Sequence, residues 1–184
     1  GRWEEAAATF RKGQPGSRRG LPYGEHPREA FDLFLPDGPE KGIVVFFHGG
    51  FWRMGGRELF SHLAAGALAR GRACALPSYP LCPEMRIAEI TRSIARALPA
   101  MAREVAGPIL LCGHSAGGHL ALRMACPDAG LPEEVTARIA GVLAISPLSD
   151  LAPLREMPMN ADLRLDPAEA RAESPVHHPA PDLA

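Results

Sequence analysis

The chain has 184 residues, a formal net charge of −1, and a composition of 46% hydrophobic and 22% charged residues. This length suits one ordinary domain that buries its own core, and the composition is that of a globular protein. Because lysine and arginine are scattered and no apolar run approaches the roughly 18 residues of a membrane span, nucleic acid and membranes are poor partners; we expect a small substrate and no cofactor.

The first predicted elements are a helix, an arm and two strands. Residues 2–11 favour a short helix, and residues 12–27 form a Gly/Pro-rich loop or arm. Residues 30–35 are a strand candidate, and the run GIVVFF at 42–47 is a stronger one, whose unbroken apolar character indicates burial on both faces. The predicted organisation is an N-terminal helix and arm (1–27), an α/β core (28–150) and a Pro-rich C-terminal segment (151–184).

Helices and strands then alternate. Apolar residues at helical spacing predict two amphipathic helices, and Pro99 should kink the longer one. The alternation predicts an α/β protein with a doubly wound, mostly parallel sheet, in which chemistry collects at the carboxyl ends of the strands. The predicted elements are helix 56–70, strand 73–76, helix 84–106, strand 109–112, helix 116–125 and strand 139–145.

Residues 113–117 read GHSAG, the pattern Gly-x-Ser-x-Gly, between a predicted strand and a predicted helix. A strained turn at this point lifts the Ser115 hydroxyl clear of the sheet edge, and glycines on either side leave room for it. The start of the next helix directs free backbone N–H groups toward developing negative charge. We interpret Ser115 as a nucleophile; the alternative is a serine in a turn that only binds a ligand.

A second motif, HGGFW, follows the strand GIVVFF directly. Acyl transfer needs N–H donors fixed where the tetrahedral oxyanion forms, and a Gly-Gly loop presents them because nothing shields its backbone. Gly50 and Phe51, with Gly49 as their neighbour, are the candidate donors on this side, and Ala116 supplies the donor beside the nucleophile. His48 is interpreted as a histidine that braces the loop rather than as a base.

These motifs, in this order, resemble the α/β-hydrolase family and particularly its HGG-type esterase branch. YPLCPE at 79–84 is similar to the Tyr-x-Leu-x-Pro-Glu segment of those esterases, and HGGFW with GHSAGGHLA looks most like the arylformamidases and small carboxylesterases. The resemblance covers about residues 20–150. It implies hydrolysis of a small carboxylic ester or an aryl formamide, such as N-formylkynurenine, through an acyl-enzyme on Ser115. Phe51, Trp52 and His114 would line the substrate pocket, although loop packing explains either aromatic residue about as well.

The acid and histidine of a catalytic triad are not evident. In the family they follow later strands, in the order Ser, acid, His, but residues 146–184 contain no further strand pattern. Asp150 is more simply a turn residue, and His119 is more simply packed than catalytic. His177 and His178 lie in a Pro-bounded loop, with no carboxylate or cysteine at metal-ligand spacing, so we expect no metal site.

Two hypotheses follow. The first is a serine hydrolase whose last strands and helices, with the acid and base, are missing from a truncated chain. The second is a hydrolase-derived binding module without catalysis. A sheet that ends at 139–145 would leave an unprotected edge that a homodimer could cover. The four cysteines form no CxxC pair, which favours reduced thiols in a cytoplasmic protein.

Overall fold

A six-stranded sheet forms the centre of the computed structural model, which describes residues 1–179. The strand order is β1-β2-β4-β3-β5-β6; β3, β4, β5 and β6 run parallel, and β1 and β2 add an antiparallel margin. The predicted α/β class with a mostly parallel sheet is therefore confirmed. The strands are Arg18–Pro22 (β1), Ala30–Phe34 (β2), Ile43–Phe47 (β3), Ala73–Pro77 (β4), Ile109–His114 (β5) and Ile139–Ile145 (β6).

Helices cover both faces of this sheet. The helices are Arg2–Lys12 (α1), Arg57–Phe60 (α2), Ala65–Leu68 (α3), Ile87–Glu104 (α4), Ala116–Ala125 (α5), Glu133–Thr136 (α6), Asn160–Leu163 (α7) and Pro167–Ala172 (α8). The larger hydrophobic core lies between one face of the sheet and helices α4 and α5. A smaller cluster around Phe34 and Phe46 lies on the other face, against α1 to α3. Among the described helices, none combines the length and the apolarity that a membrane crossing requires.

The predicted helix 56–70 is wrong as a single element. The structure divides it into α2, a 3-10 turn at Ser61–Ala64 and α3. The Ser61 hydroxyl donates to the carbonyl of Arg57 at 3.2 Å, and such a bond competes with the helical ladder. The longer predicted helix is confirmed as α4, which continues through Pro99.

The predicted arm at 12–27 contains a strand that the pattern did not indicate. Arg18–Pro22 pairs with β2 as an exposed margin, so it lacks the apolar alternation of a half-buried strand. Asp32 fixes it from the neighbouring strand, because its Oδ1 accepts a hydrogen bond from the Gly20 N–H at 2.9 Å.

The C-terminal segment folds as short helical turns on the core. Two 3-10 turns, Ala152–Glu156 and Pro175–His177, accompany α7 and α8, and no strand occurs in residues 146–179. In the described chain β6 is the last strand of the sheet, with Leu143 60% and Ile145 44% exposed. A homodimer across this margin stays a prediction.

Candidate active site

Ser115 occupies a sharp turn between β5 and α5. Its backbone angles are φ 57° and ψ −120°, a left-handed conformation that non-glycine residues adopt at a cost of about 1–3 kcal/mol. The turn is held at both sides: the Ser115 N–H donates to the Ile145 carbonyl at 2.9 Å, and the Ser115 carbonyl accepts from the His119 N–H at 3.0 Å. The half-buried serine thus stands at the carboxyl end of the sheet, as its motif predicts.

Two glycines make this turn possible. A Cβ added to Gly113 would lie 2.1 Å from the carbonyl oxygen of Gly117, and one added to Gly117 would lie 2.0 Å from the carbonyl oxygen of Phe47. Both neighbours are backbone atoms that cannot rotate aside. The first and last glycines of GHSAG are therefore required by the close approach of β5, α5 and β3.

The loop after β3 lies directly against Ser115. A Cβ on Gly49 would be 3.3 Å from the Ser115 Cβ. Gly50, Phe51 and Trp52 follow with φ of 118°, 53° and 55°, which turns the loop sharply. Within residues 1–179 the N–H groups of Gly50 and Phe51 donate to no carbonyl, and the N–H of Ala116, as the first residue of α5, has no intrahelical acceptor.

His48 braces this loop from below. Its ring is stacked between Tyr79, at 4.2 Å between centroids, and Phe60, at 5.9 Å. Burial lowers the pKa of His48 to about 4, so the neutral ring donates from Nδ1 to the Gly49 carbonyl at 2.8 Å. The Tyr79 hydroxyl donates to the His48 carbonyl at 2.7 Å. This bracing fits the interpretation of His48, and Tyr79, inside YPLCPE, is a support that sequence reasoning did not assign.

The three residues expected to line a pocket lie in different environments. Phe51 is 45% exposed and His114 is exposed, with its Nδ1 3.4 Å from the position of a Cβ on Gly49. Trp52 is fully buried and meets the ring of His119 edge-on, at 5.0 Å between centroids. Phe51 and His114 are therefore accessible to solvent beside Gly49, whereas Trp52 fixes the loop to the core. The pocket role of all three stays a prediction.

The other candidates are held away from Ser115. His119 is fully buried, its Nε2–H donates to the Glu173 carbonyl at 2.7 Å, and burial lowers its pKa to about 3. Asp150 Oδ1 accepts from the Ala152 N–H at 2.9 Å, which is a local turn. The Ser115 side chain makes no capping hydrogen bond to α5, and both His119 and Asp150 are bonded to other partners. Within residues 1–179 the structure thus brings together Ser115 and the candidate N–H donors, but no group hydrogen-bonded to Ser115 that could act as a base.

The comparison with protein families decides the ancestry of this site. A family described as alpha/beta hydrolase fold matches residues 44–174, which include both glycine motifs. The chain belongs to the α/β-hydrolase family. Within it, the chain is similar to the kynurenine formamidase of Danio rerio, with 29% identity over 161 residues, covering 84% of this chain and 54% of that protein. It is also similar to an isoprenylcysteine alpha-carbonyl methylesterase of Arabidopsis thaliana, with 30% identity over 67% of this chain and 30% of that protein.

Solved structures of esterases and of a proposed thioesterase are similar to this chain. A proposed thioesterase from Silicibacter sp. TM1040 has a TM-score of 0.94 and 52% identity, covering 96% of this chain and 67% of that chain. Esterase B from Lactobacillus, at 18% identity and a TM-score of 0.73 over 98% of this chain and 72% of that chain, shares the fold alone. The chain spans about half the length of the formamidases it matches, 54% in each case.

Proposed function

We propose that the chain carries the nucleophile and oxyanion-binding part of a serine hydrolase that cleaves a small carboxylic ester or an aryl formamide such as N-formylkynurenine. The observation that carries this proposal is the strained backbone of Ser115 at the strand end, directly beside the Gly-Gly loop. Such strain clusters at functional sites, which supports a chemical role for the Ser115 hydroxyl. The similarity to a formamidase and to esterases supports the same reaction class.

The proposed reaction is acyl transfer to Ser115. The Ser115 oxygen adds to the substrate carbonyl, and the oxygen of that carbonyl takes the negative charge. The N–H groups of Ala116, Gly50 and Phe51 stabilise this oxyanion. Collapse of the tetrahedral intermediate expels the alcohol or the arylamine and leaves an ester on Ser115, which water then hydrolyses. A base outside the described residues must accept the serine proton and return it to the leaving group.

A binding module is the second candidate, because the candidate bases His119 and Asp150 are hydrogen-bonded to groups other than Ser115. A serine without its base keeps only the rate enhancement due to the oxyanion hole and to binding, on the order of 10³–10⁴ over water. Such a protein would bind acyl compounds and turn them over negligibly.

Covalent labelling separates the two. A fluorophosphonate probe should modify the whole protein at one residue, and Ser115→Ala should abolish the label, whereas the control Ser17→Ala, in the N-terminal arm, should retain it. Hydrolysis of p-nitrophenyl esters, N-formylkynurenine and an acyl thioester then ranks the substrates. Ser115→Ala should lower kcat by up to about 10⁶-fold. Folded whole protein that binds these compounds but is neither labelled nor active would refute the hydrolase and favour the binding module.

A further inference from the structure

A second cluster of reactive side chains lies where the C-terminal segment meets the end of α5. Cys126 and Asp128 follow α5 directly, and His178 returns to them from 50 residues along the chain. The donor atoms of the three side chains all lie within 4.8 Å of one another. The sequence shows no carboxylate or cysteine at ligand spacing near His178, but the fold brings Cys126 and Asp128 next to it.

His178 is oriented as a metal ligand requires. Its Nε2 lies 2.7 Å from the backbone carbonyl of Ala172, to which it donates. The remaining nitrogen, Nδ1, then faces the cluster, 3.1 Å from Asp128 Oδ1. Metal-binding histidines almost always donate their other N–H to a carbonyl or carboxylate, which fixes the tautomer and the ring direction.

The charges around the cluster leave room for a cation. Arg123 donates from both terminal nitrogens to Asp128, at 3.0 and 3.2 Å, and its Nε lies 3.4 Å from the buried Glu173 carboxylate. One guanidinium thus faces two carboxylates, a net charge of −1 when His178 is neutral. A divalent cation bound to the thiolate form of Cys126 would bring this group to neutrality.

We propose that Cys126, Asp128 and His178 bind one Zn²⁺ ion. Thiolate, imidazole and carboxylate are the three ligand types that Zn²⁺ takes in proteins, at about 2.3, 2.0 and 2.1 Å, which places ligand atoms about 3.3–3.6 Å apart in a tetrahedron. The 3.1 Å between His178 Nδ1 and Asp128 Oδ1 is close to that spacing, and Cys126 Sγ lies within 4.8 Å of both atoms. The Asp128 side chain is 51% exposed, which provides an entry path and a position for water as the fourth ligand.

Binding exchanges a proton for the metal. Zn²⁺ replaces the thiol hydrogen of Cys126 and forms a Zn–S bond, and the proton is released to solvent. The ion would join the end of α5 to the last described turn of the chain. It would therefore hold the C-terminal segment in place without contacting Ser115.

Metal binding by the whole protein tests this site directly. Protein stripped with a chelator should bind one equivalent of Zn²⁺ in equilibrium dialysis. Cys126→Ser and His178→Ala should each weaken binding by at least the 10–100-fold that loss of an outer-shell partner costs. The matched controls His177→Ala, its exposed neighbour, and Cys112→Ser, a half-buried thiol elsewhere, should bind as the wild type does.

Cobalt keeps the test decisive if a variant fails to fold. Co²⁺ bound through a thiolate gives a sulfur-to-metal charge-transfer band, so wild-type protein should acquire this band and lose it on addition of Zn²⁺. No bound metal, no thiolate band, or a folded Cys126→Ser that binds unchanged would each overturn the proposal and leave a His178–Asp128 ion pair. None of these outcomes depends on the activity of Ser115.

Discussion

Gly117→Ala should disrupt the packing of α5 against the end of β3. The added Cβ would lie 2.0 Å from the Phe47 oxygen and 2.6 Å from the His48 oxygen, whereas an ordinary Cβ contact begins at 3.4 Å. Because both oxygens belong to the backbone, the helix or the strand must move by more than an ångström. That movement separates the HGGFW loop, the proposed source of oxyanion donors, from Ser115.

The expected cost comes from overpacking less the helix propensity of alanine. Overpacking costs about 1–3 kcal/mol, and alanine regains up to about 1 kcal/mol relative to glycine within a helix. Taking the middle of each range, we expect a net loss of about 1.5 kcal/mol in the free energy of unfolding, or a fall in Tm of about 3–6 °C. A displacement of about 1 Å at the reacting groups can lower a reaction rate about 100-fold. We therefore expect the rate of fluorophosphonate labelling to fall about 100-fold while most of the protein remains folded.

Thermal unfolding and the rate of fluorophosphonate labelling, measured on the whole protein, check both effects. Gly66→Ala is the matched control, because Gly66 also lies in a helix but has no heavy atom within 4 Å of an added Cβ. It should leave labelling unchanged and raise Tm slightly. Wild-type stability together with a wild-type labelling rate in Gly117→Ala would mean that the turn is not sterically tight, and the reasoning would fail.

Three further outcomes follow from buried side chains. The pKa values of about 4 for His48 and about 3 for His119 lie below the ordinary 6.5, so the unfolded chain binds more protons in this range. Equilibrium denaturation should therefore show stability falling from about pH 6.5 towards pH 4, by at most about 1.4 kcal/mol per unit and histidine; a flat profile would contradict it. Trp52→Ala should cost about 3–5 kcal/mol in urea unfolding and Trp52→Phe clearly less, whereas equal costs would show that the buried volume is unimportant. Glu173→Gln should cost about 1–3 kcal/mol in the same assay, and the exposed Glu156→Gln almost nothing.

Long periodic segments made most of the fold predictable. The helix at Ile87–Glu104 and the strand at Ile43–Phe47 bury wide apolar surfaces. Because buried positions must be apolar, the sequence of each element shows a recognisable hydrophobic pattern. The strand at Arg18–Pro22 left no such trace because it is exposed, and its pairing depends on Asp32 in the neighbouring strand. Residues 56–70 divide near Ser61, whose hydroxyl bonds back to the Arg57 carbonyl, a local contact that no periodic pattern indicates.

The candidate site was predictable where its residues are neighbours in the chain. GHSAG and HGGFW each carry their glycines and key side chains within five residues, so the turn at Ser115 and the adjoining loop could be inferred, although Ile145 and Tyr79 help to hold them. The burial of Trp52 could not, because an aromatic residue after two glycines suits a pocket wall as well as an anchor. The contacts of His119 with Glu173 and of His178 with Asp128 join distant segments, and only the folded chain reveals them.

The strained backbone at Ser115 lowers the stability of the fold, but the serine supplies the hydroxyl that the proposed reaction needs. Glycine is the one residue that adopts φ 57° without a steric penalty, so Ser115→Gly would relieve the turn while it removes the hydroxyl. Random substitution followed by selection for thermal resistance alone should therefore drift towards glycine at this position. Selection for growth on an acyl substrate should hold the serine, so the two regimes would diverge at this single codon.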